Sequence, residues 1–426
     1  MASAQAHPVA HRRLLAVGDF FARQRHLVAI RDGVVGALPL VLVGSLFLLA
    51  AQPPLASLQA WVAPHVPVLL VPYRMLGGLI AVYVTFACAS SLARSYALDP
   101  LAAGLTAMAA YFIAAYPSPL LTPAAPLALP LARLGAGGIF TGLLIALGHV
   151  ELTRALVKRR WTLRLPPSAP DAVVRSFVAL VPCFVTVVSV FLVVHVARVD
   201  VVQGLETLAR PLLIAAGSLP AALLVVLADS VLWFLGVHAS AALATLRPLW
   251  EAMLVSNMEA AARGVTLLPH IAPQPFYLWF VWQGGSGAAL PLALLLLRAR
   301  SAQLRSVGRV AFVPALCNVN EPLLFGVPVV LNPVLAVPFS LVPLVSAAVA
   351  YAAFAAGLVT RPYLEMPWTL PAPVGAFLST GGDVRAVGLQ MLNLALGLLI
   401  YWPFVRRYDR QLLAAEVVAS SPPDPR

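Results

Sequence analysis

Charge is what this chain has least of. Only 10% of its 426 residues are Asp, Glu, Lys or Arg, 61% are hydrophobic, and the mean hydropathy is +0.90. A soluble domain carries about 25% charged residues, so there is too little polar surface here to coat a globule in water. Gly33–Ala51, Leu120–Leu131 and Leu212–Val226 hold no charged side chain at all. Several other runs reach the ~20 residues a helix needs to cross a bilayer. The chain reads as an all-α polytopic membrane protein. Cysteine is scarce as well. Cys88, Cys183 and Cys317 lie far apart in apolar segments, without the spacing of a disulfide framework or a metal site. The histidines show no HExxH pairing, so no metal and no cofactor is expected. There is no run of five basic residues, and the net charge of +12 therefore points to anionic membrane lipid and away from nucleic acid.

The arginines fall between the apolar runs. Arg154, Lys158, Arg159, Arg160 and Arg164 make the densest cluster, which the positive-inside rule assigns to the cytoplasm. Residues 1–30 read as a cytoplasmic lead. The apolar run after Arg31 is long and lacks a small-residue cleavage pattern, so it reads as an uncleaved first span. Spans are expected at about 32–51, 73–92, 99–116, 131–150 and 172–196. The prolines between 53 and 72 predict an irregular outer loop, and residues 201–210 a short amphipathic surface helix. Further spans are expected at about 211–235, 275–297, 335–358 and 388–405. The basic loop at Arg298, Arg300, Arg305 and Arg309 belongs on the cytoplasmic side only if one more crossing is hidden in the polar-studded 238–270, as a broken helix. The expected total is about ten crossings, with broken helices and re-entrant hairpins in the second half and both termini cytoplasmic.

The densest concentration of polar chemistry is Cys317-Asn318-Val319-Asn320-Glu321-Pro322. A charged group at bilayer depth is costly unless it is paired or faces a cavity. Pro314, Pro322, Pro328 and Pro333 cannot share one helix, so the segment predicts two short helices meeting at a polar tip, an arrangement many transporters use for a midplane site. On the residues alone two readings stand. Glu321, with Asn318 and Asn320, could contact sugar hydroxyls, or the segment could be a turn with local Asn caps and an ion-paired glutamate. Gly284-Gly285-Ser286-Gly287 has the composition of a phosphate loop but lacks the following lysine and the strand–loop–helix setting; it reads better as a helix break whose backbone contacts a ligand. Trp282 suits either a stacking platform for a sugar ring or a bilayer-interface tryptophan. His238, alone in an apolar stretch, reads as a hydrogen-bonded core histidine or as a proton-transferring group.

Six blocks in order carry a family likeness: Arg25 through Gly33 with Val43-Gly44-Ser45-Leu46; Gly236-Val237-His238; Phe280 through Ala288; Asn318 through Pro322 with Phe325 through Pro333; Pro367-Trp368-Thr369 with Thr380-Gly381-Gly382-Asp383; and Tyr408 through Leu412. Together they resemble enzyme IIC, the membrane permease component of the bacterial sugar phosphotransferase system, in its lactose/cellobiose/diacetylchitobiose branch. The resemblance implies an inner-membrane homodimer that moves a β-linked disaccharide, such as cellobiose or diacetylchitobiose, for phosphorylation by the phosphocysteine of a separate cytoplasmic IIB subunit, itself served by IIA. It implies that Glu321 and His238 lie at the hydroxyl that is phosphorylated, making these two the catalytic candidates. Asn318, Asn320, Trp282, Gly284, Gly285 and Ser286 are the sugar-binding candidates. The chain departs from the family at Ala239, Leu278 and Cys317, positions that bear on sugar identity and coupling. An uncoupled or ion-coupled sugar transporter or sensor is the alternative.

The organisation expected from the distribution of residues is bipartite. Residues 1–200 should form a scaffold that carries the dimer contact, with small-residue faces at Gly135, Gly137, Gly138 and Gly142 that permit close helix approach. Residues 201–426 hold nearly all the intramembrane polar motifs and should form the sugar-carrying half.

Overall fold

The protein is represented by a computed structural model that describes residues 24–53, 56–117, 129–163, 166, 170–235, 239, 243–327 and 333–420. Every regular element among these residues is helical. In chain order they are α1 (Arg25–Ala51), α2 (Ala56–Val62), α3 (Val66–Leu76), α4 (Ile80–Ser95), α5 (Pro100–Ala115), α6 (Ile139–Lys158), α7 (Asp171–Phe191), α8 (Val201–Ala216), α9 (Leu219–Phe234), α10 (Arg247–Ala262), α11 (Gln274–Phe276), α12 (Ala289–Leu296), α13 (Ala302–Leu316), α14 (Glu321–Gly326), α15 (Pro333–Ala355), α16 (Ala372–Ser379) and α17 (Val384–Ser420).

Several starts follow from local sequence. Asp99 accepts the N–H groups of Leu101 and Ala102, and Pro100 supplies a preset φ at the first position of α5. Ser301 accepts the N–H of Leu304 at the start of α13, and Asp409, far along α17, accepts the N–H groups of Arg300 and Ser301 at 2.9 and 2.8 Å. Those bonds join the basic loop to the end of the chain and give the Tyr408-Asp409-Arg410 block a structural use.

Among the described residues, six helical stretches are long and apolar enough to cross a membrane: 25–51, 57–95, 136–158, 176–196, 334–355 and 384–414. A seventh arises if α8 and α9, bent by 68° at Gly217-Ser218, count as one span. That is fewer than the ten crossings expected. The difference lies in short pieces. α5 has 16 residues, α10 has 16 and α13 has 15. The expected span 275–297 is not one helix: α11 runs into a π-helical stretch, Tyr277–Val281, then a bend, then the eight residues of α12. The expected outer loop at 53–72 is largely helical in its described part, because Pro64 and Pro67 sit in the first turns of helical segments, where a missing N–H costs nothing. The surface helix expected to stop at 210 continues to Ala216, with Pro211 accommodated inside it.

α1 packs on α3 and α4, and α4 on α5 and α6; in the later part α15 packs on α9 and α17, and α12 on α13 and α17. One apolar core runs through α1, α4 and α6 into α10 and the aromatic cluster Phe276, Tyr277, Trp279 and Phe280; a second gathers Trp233, Ala239, α12, Leu323, Phe339 and Tyr401. Large apolar side chains such as Leu46, Phe184, Leu224 and Leu399 stand more than half exposed, as a lipid-facing surface requires and a water-facing one disfavours.

The glycines expected to offer a face to another helix are used inside the subunit. A side chain at Gly138 would strike Tyr111 and the carbonyl of Arg133, one at Gly142 would strike Thr85, and one at Gly135 would strike Glu259. Among the described residues, three side-chain bonds tie the early helices to the later ones: the Glu365 N–H donates to Ser45 Oγ at 3.0 Å, Gln52 Nε2 to the Ala261 carbonyl at 2.9 Å, and the Ala136 N–H to Glu259 Oε1 at 3.1 Å.

Candidate functional site: a polar cavity between two broken helices

Two chain breaks meet. In the first, residues 282–288 leave the helix, with Gly284 and Gly285 at φ +82° and +99°, a region that L side chains rarely adopt. A Cβ on Gly285 would lie 2.8 Å from the Asn320 side chain. In the second, α13 ends at Leu316 and α14 begins at Glu321, with Asn318 in the left-handed region at φ +61°, a conformation its short polar side chain tolerates. Both breaks leave backbone polar groups, and two of those in the first break are met by asparagines of the second. Asn318 Oδ1 accepts the Gly284 N–H at 2.9 Å, and Asn318 Nδ2 donates to the carbonyls of Trp368 and Leu370 at 2.7 and 2.9 Å. Asn320 Nδ2 donates to the Ser286 carbonyl at 3.2 Å.

A cavity of about 420 Å³ opens at this junction. It is lined by Asp229, Arg247, Trp250, Gln274, Trp282, Gly285, Ser286, Asn318, Asn320, Glu321 and Trp368, with Trp233, Leu243, Ala244 and Leu278. The volume falls in the range of roughly 300–1,000 Å³ usual for small-molecule sites. Its chemistry is mixed: two carboxylates, a guanidinium and three amides stand beside four indole rings. Tyr277 stacks on Trp282 with centroids 5.3 Å apart, and Trp250 lies 4.9 Å from Tyr277, so the aromatic wall is braced from behind. Arg247 Nη1 donates to Gln274 Oε1 at 3.3 Å. A second cavity of about 490 Å³, between α8 and α10, is lined by Glu206, Arg210 and His270 among others and holds none of the catalytic or sugar-binding candidates.

Of the sequence-derived residues, the cavity brings together Glu321, Asn318, Asn320, Trp282, Gly285 and Ser286. His238 lies outside the described residues. Gly284 does not line the cavity, and its N–H is already given to Asn318. The N–H of Gly285 is likewise given to the Trp282 carbonyl at 2.8 Å, so neither is free to meet a ligand. Asn318 has spent both its donors on protein carbonyls. Trp282 lines the cavity from a half-buried position. Of the departures from the family pattern, Leu278 lines the cavity, Cys317 caps α13, and Ala239 is buried in the second core.

Asp229, Arg247, Trp250, Gln274 and Trp368 were not foreseen as site residues. Asp229 had a readable signal, being the one charged residue in the otherwise apolar α9. The others come from three separate segments that only the fold assembles. Two ion pairs lie away from the cavity: Arg31 with Asp32, at 2.8 Å, and Asp383 with Arg385, at 2.9 Å, where Asp383 also accepts the Thr360 N–H.

Comparison with known proteins places these observations. Residues 31–343 match the family described as phosphotransferase system, EIIC. The chain is 35% identical to the cellobiose-specific EIIC component of Geobacillus stearothermophilus, over 95% of this chain and 94% of that one. It is 30% identical to the lactose-specific EIICB component of Streptococcus mutans, over 95% of this chain and 72% of that one. The fold matches the crystal structure of the transporter ChbC, the IIC component of an N,N'-diacetylchitobiose-specific phosphotransferase system, with a TM-score of 0.88, 32% identity, and coverage of 96% of this chain and 99% of that one.

Proposed function

Since the chain belongs to the EIIC family of the phosphotransferase system, an integral membrane component, we propose that its polar cavity holds a β-linked disaccharide, cellobiose or diacetylchitobiose, during passage and phosphorylation. The observation that carries this reading is the convergence of Glu321, Asn320 and Ser286 with Trp250, Trp282 and Trp368 on one cavity. Sugars present hydroxyls at their edges and C–H groups on their faces, and this wall offers hydrogen-bonding groups beside aromatic platforms.

Glu321 is proposed as the proton acceptor. When a phosphoryl group leaves the cysteine sulfur of a phosphorylated IIB subunit, the S–P bond breaks and a new O–P bond forms to a sugar hydroxyl. The hydroxyl proton then passes to the Glu321 carboxylate. His238 is proposed to share this proton, on the family likeness. The phosphorylation partner is a IIB protein with its IIA; the relation to an EIICB protein, in which the match spans 72% of the length, supports a IIB-type partner. We further propose ten crossings with both termini cytoplasmic, supported by the arginine loops. The proposed organisation is a homodimer joined through residues 1–200, with residues 201–426 carrying the sugar, in a bacterial inner membrane whose anionic lipid meets the arginines.

The test is uptake of labelled cellobiose and diacetylchitobiose into vesicles holding the reconstituted protein, with and without phosphorylated IIB inside. Accumulation of sugar phosphate that depends on IIB is expected. Equal accumulation of unmodified sugar without IIB would overturn the coupling, and absence of uptake for every β-linked disaccharide would overturn the substrate.

A further inference from the structure

α9 is apolar along its whole length except at Asp229, the one charged residue among its 16, and Ser230, whose hydroxyl is spent on the Val226 carbonyl. A carboxylate in such a helix is costly and is kept where it meets a partner or a cavity. Asp229 is 3% exposed. Its Oδ1 accepts a hydrogen bond from Ser286 Oγ at 3.0 Å, while its Oδ2 is buried with no hydrogen-bond partner among the described residues. The residue lines the same cavity as Glu321. Ser286, which orients it, also receives Asn320 Nδ2 on its carbonyl. One chain of bonds thus runs from Asp229 through Ser286 to the residue immediately before Glu321.

We propose that Asp229 is a second sugar-binding carboxylate, whose free oxygen accepts a hydroxyl of the bound disaccharide and thereby selects which sugars are held. The proposal rests on the reading of this cavity as the sugar site. An ionised carboxylate is acceptor-only, so the group recognised is a donor: a hydroxyl, or the N–H of an acetamido substituent. An analogue lacking that hydroxyl leaves the oxygen buried and unpaired, and a fluorine in its place meets it lone pair to lone pair. Ser286 holds Oδ1, and Oδ2, buried without a partner among the described residues, is the oxygen left for one hydroxyl of the ligand. Asp229 is a specificity-determining residue on this account, while proton transfer stays with Glu321.

The test uses the full chain in lipid nanodiscs, with calorimetric binding of cellobiose and each of its monodeoxy analogues to wild type, Asp229→Asn and Glu321→Gln. The asparagine is nearly isosteric and keeps an oxygen for Ser286, so the unfolding temperature should hold or rise. Cellobiose should bind 10- to 100-fold more weakly, the worth of one hydrogen bond to a charged group. One monodeoxy analogue should bind wild type and Asp229→Asn equally well, and a different analogue should behave so with Glu321→Gln. Undiminished cellobiose binding by Asp229→Asn overturns the proposal, as does an equal loss for every analogue, which marks a role inside the protein. The wild type is a second arm that needs no variant: fewer than two hydroxyl positions at which removal weakens binding tenfold also overturns it. Failure of wild type to bind any β-linked disaccharide overturns the site reading as well, and is distinguished by wild type and variants failing alike.

Discussion

The side-chain oxygen of Asn318 accepts the backbone N–H of Gly284, 34 positions earlier, at 2.9 Å. The same amide gives both its hydrogens to the carbonyls of Trp368 and Leu370. One buried side chain therefore pins the glycine bend, the turn before Glu321 and the segment after α15 into a single wall. Its place in the motif is explained by geometry before any sugar is considered.

Asn318→Ala should accordingly cost more than a lost ligand contact. It leaves two carbonyls and an N–H unpaired, each worth about 1–3 kcal/mol when buried, and it puts alanine at a positive φ. We expect a loss of at least about 3 kcal/mol of stability along with loss of sugar binding. Asn318→Asp, which faces two carbonyls with an acceptor, should be at least as damaging. Thermal unfolding in detergent reads both, and an aspartate variant as stable as wild type would contradict the bracing role.

Gly285→Ala and Gly204→Ala form a contrasting pair. The first adds a methyl 2.8 Å from Asn320 at φ +99°, whereas the second adds one where no atom lies within 4 Å, in a helix. The first should abolish cellobiose binding. The second should leave binding intact and stabilise by about 0.5–1 kcal/mol through helix propensity. Similar binding by both would show that the bend does not shape the cavity.

Glu321→Gln should insert and fold normally, since the amide nearly matches the acid in size. IIB-dependent phosphorylation should fall at least 100-fold, in the range lost when a general base is removed. Phosphorylation at the wild-type rate would remove Glu321 from proton transfer.

The Asp200 carboxyl, in the connection between α7 and α8, is held below the usual carboxylate range. Its hydrogen bond from Arg133 is the largest cause, partial burial works against it, and the Gln203 N–H adds to it. A carboxyl with a depressed folded-state pKa contributes stability above its unfolded pKa and loses it as pH falls through the folded value. Asp200→Asn should therefore lower stability at pH 7 by about 1 kcal/mol, as a partly exposed pair does. That deficit should shrink below about pH 4. Unfolding temperatures of both proteins between pH 3 and 8 give the comparison, and a gap that widens in acid would refute it.

Membrane class and the polar turn were legible because they rest on contrast: few charges overall, then Asn-Val-Asn-Glu in an apolar setting. The break at Gly284 was legible for a related reason, since three glycines in four residues do not continue a helix. Other features could not be read locally. The π-helical stretch Tyr277–Val281 carries no sequence signature that separates it from an α-helix. Trp250, Gln274 and Trp368 become site residues only through the packing of segments that are separate in the chain. Gly135, Gly138 and Gly142 signalled close approach correctly, but spacing alone does not say whether the approaching partner is the same chain or another. The prolines at 64 and 67 were misread as loop formers, because a proline that breaks a helix and one that begins it are the same residue in different registers.

The three bonds from Ser45, Gln52 and Ala136 to the later part of the chain set the character of the seam they cross. Two are neutral hydrogen bonds, worth about 1 kcal/mol net each because water replaces what is lost, and the third, to a carboxylate, is worth somewhat more. A displacement of the later helices against α1 must break all three together. The bonds lie along the apolar core that runs from α1, α4 and α6 into α10, so the seam is a packed contact as well as a hydrogen-bonded one. It fixes one position of the later helices against α1, and any displacement across it must break those hydrogen bonds and part that apolar packing in one step.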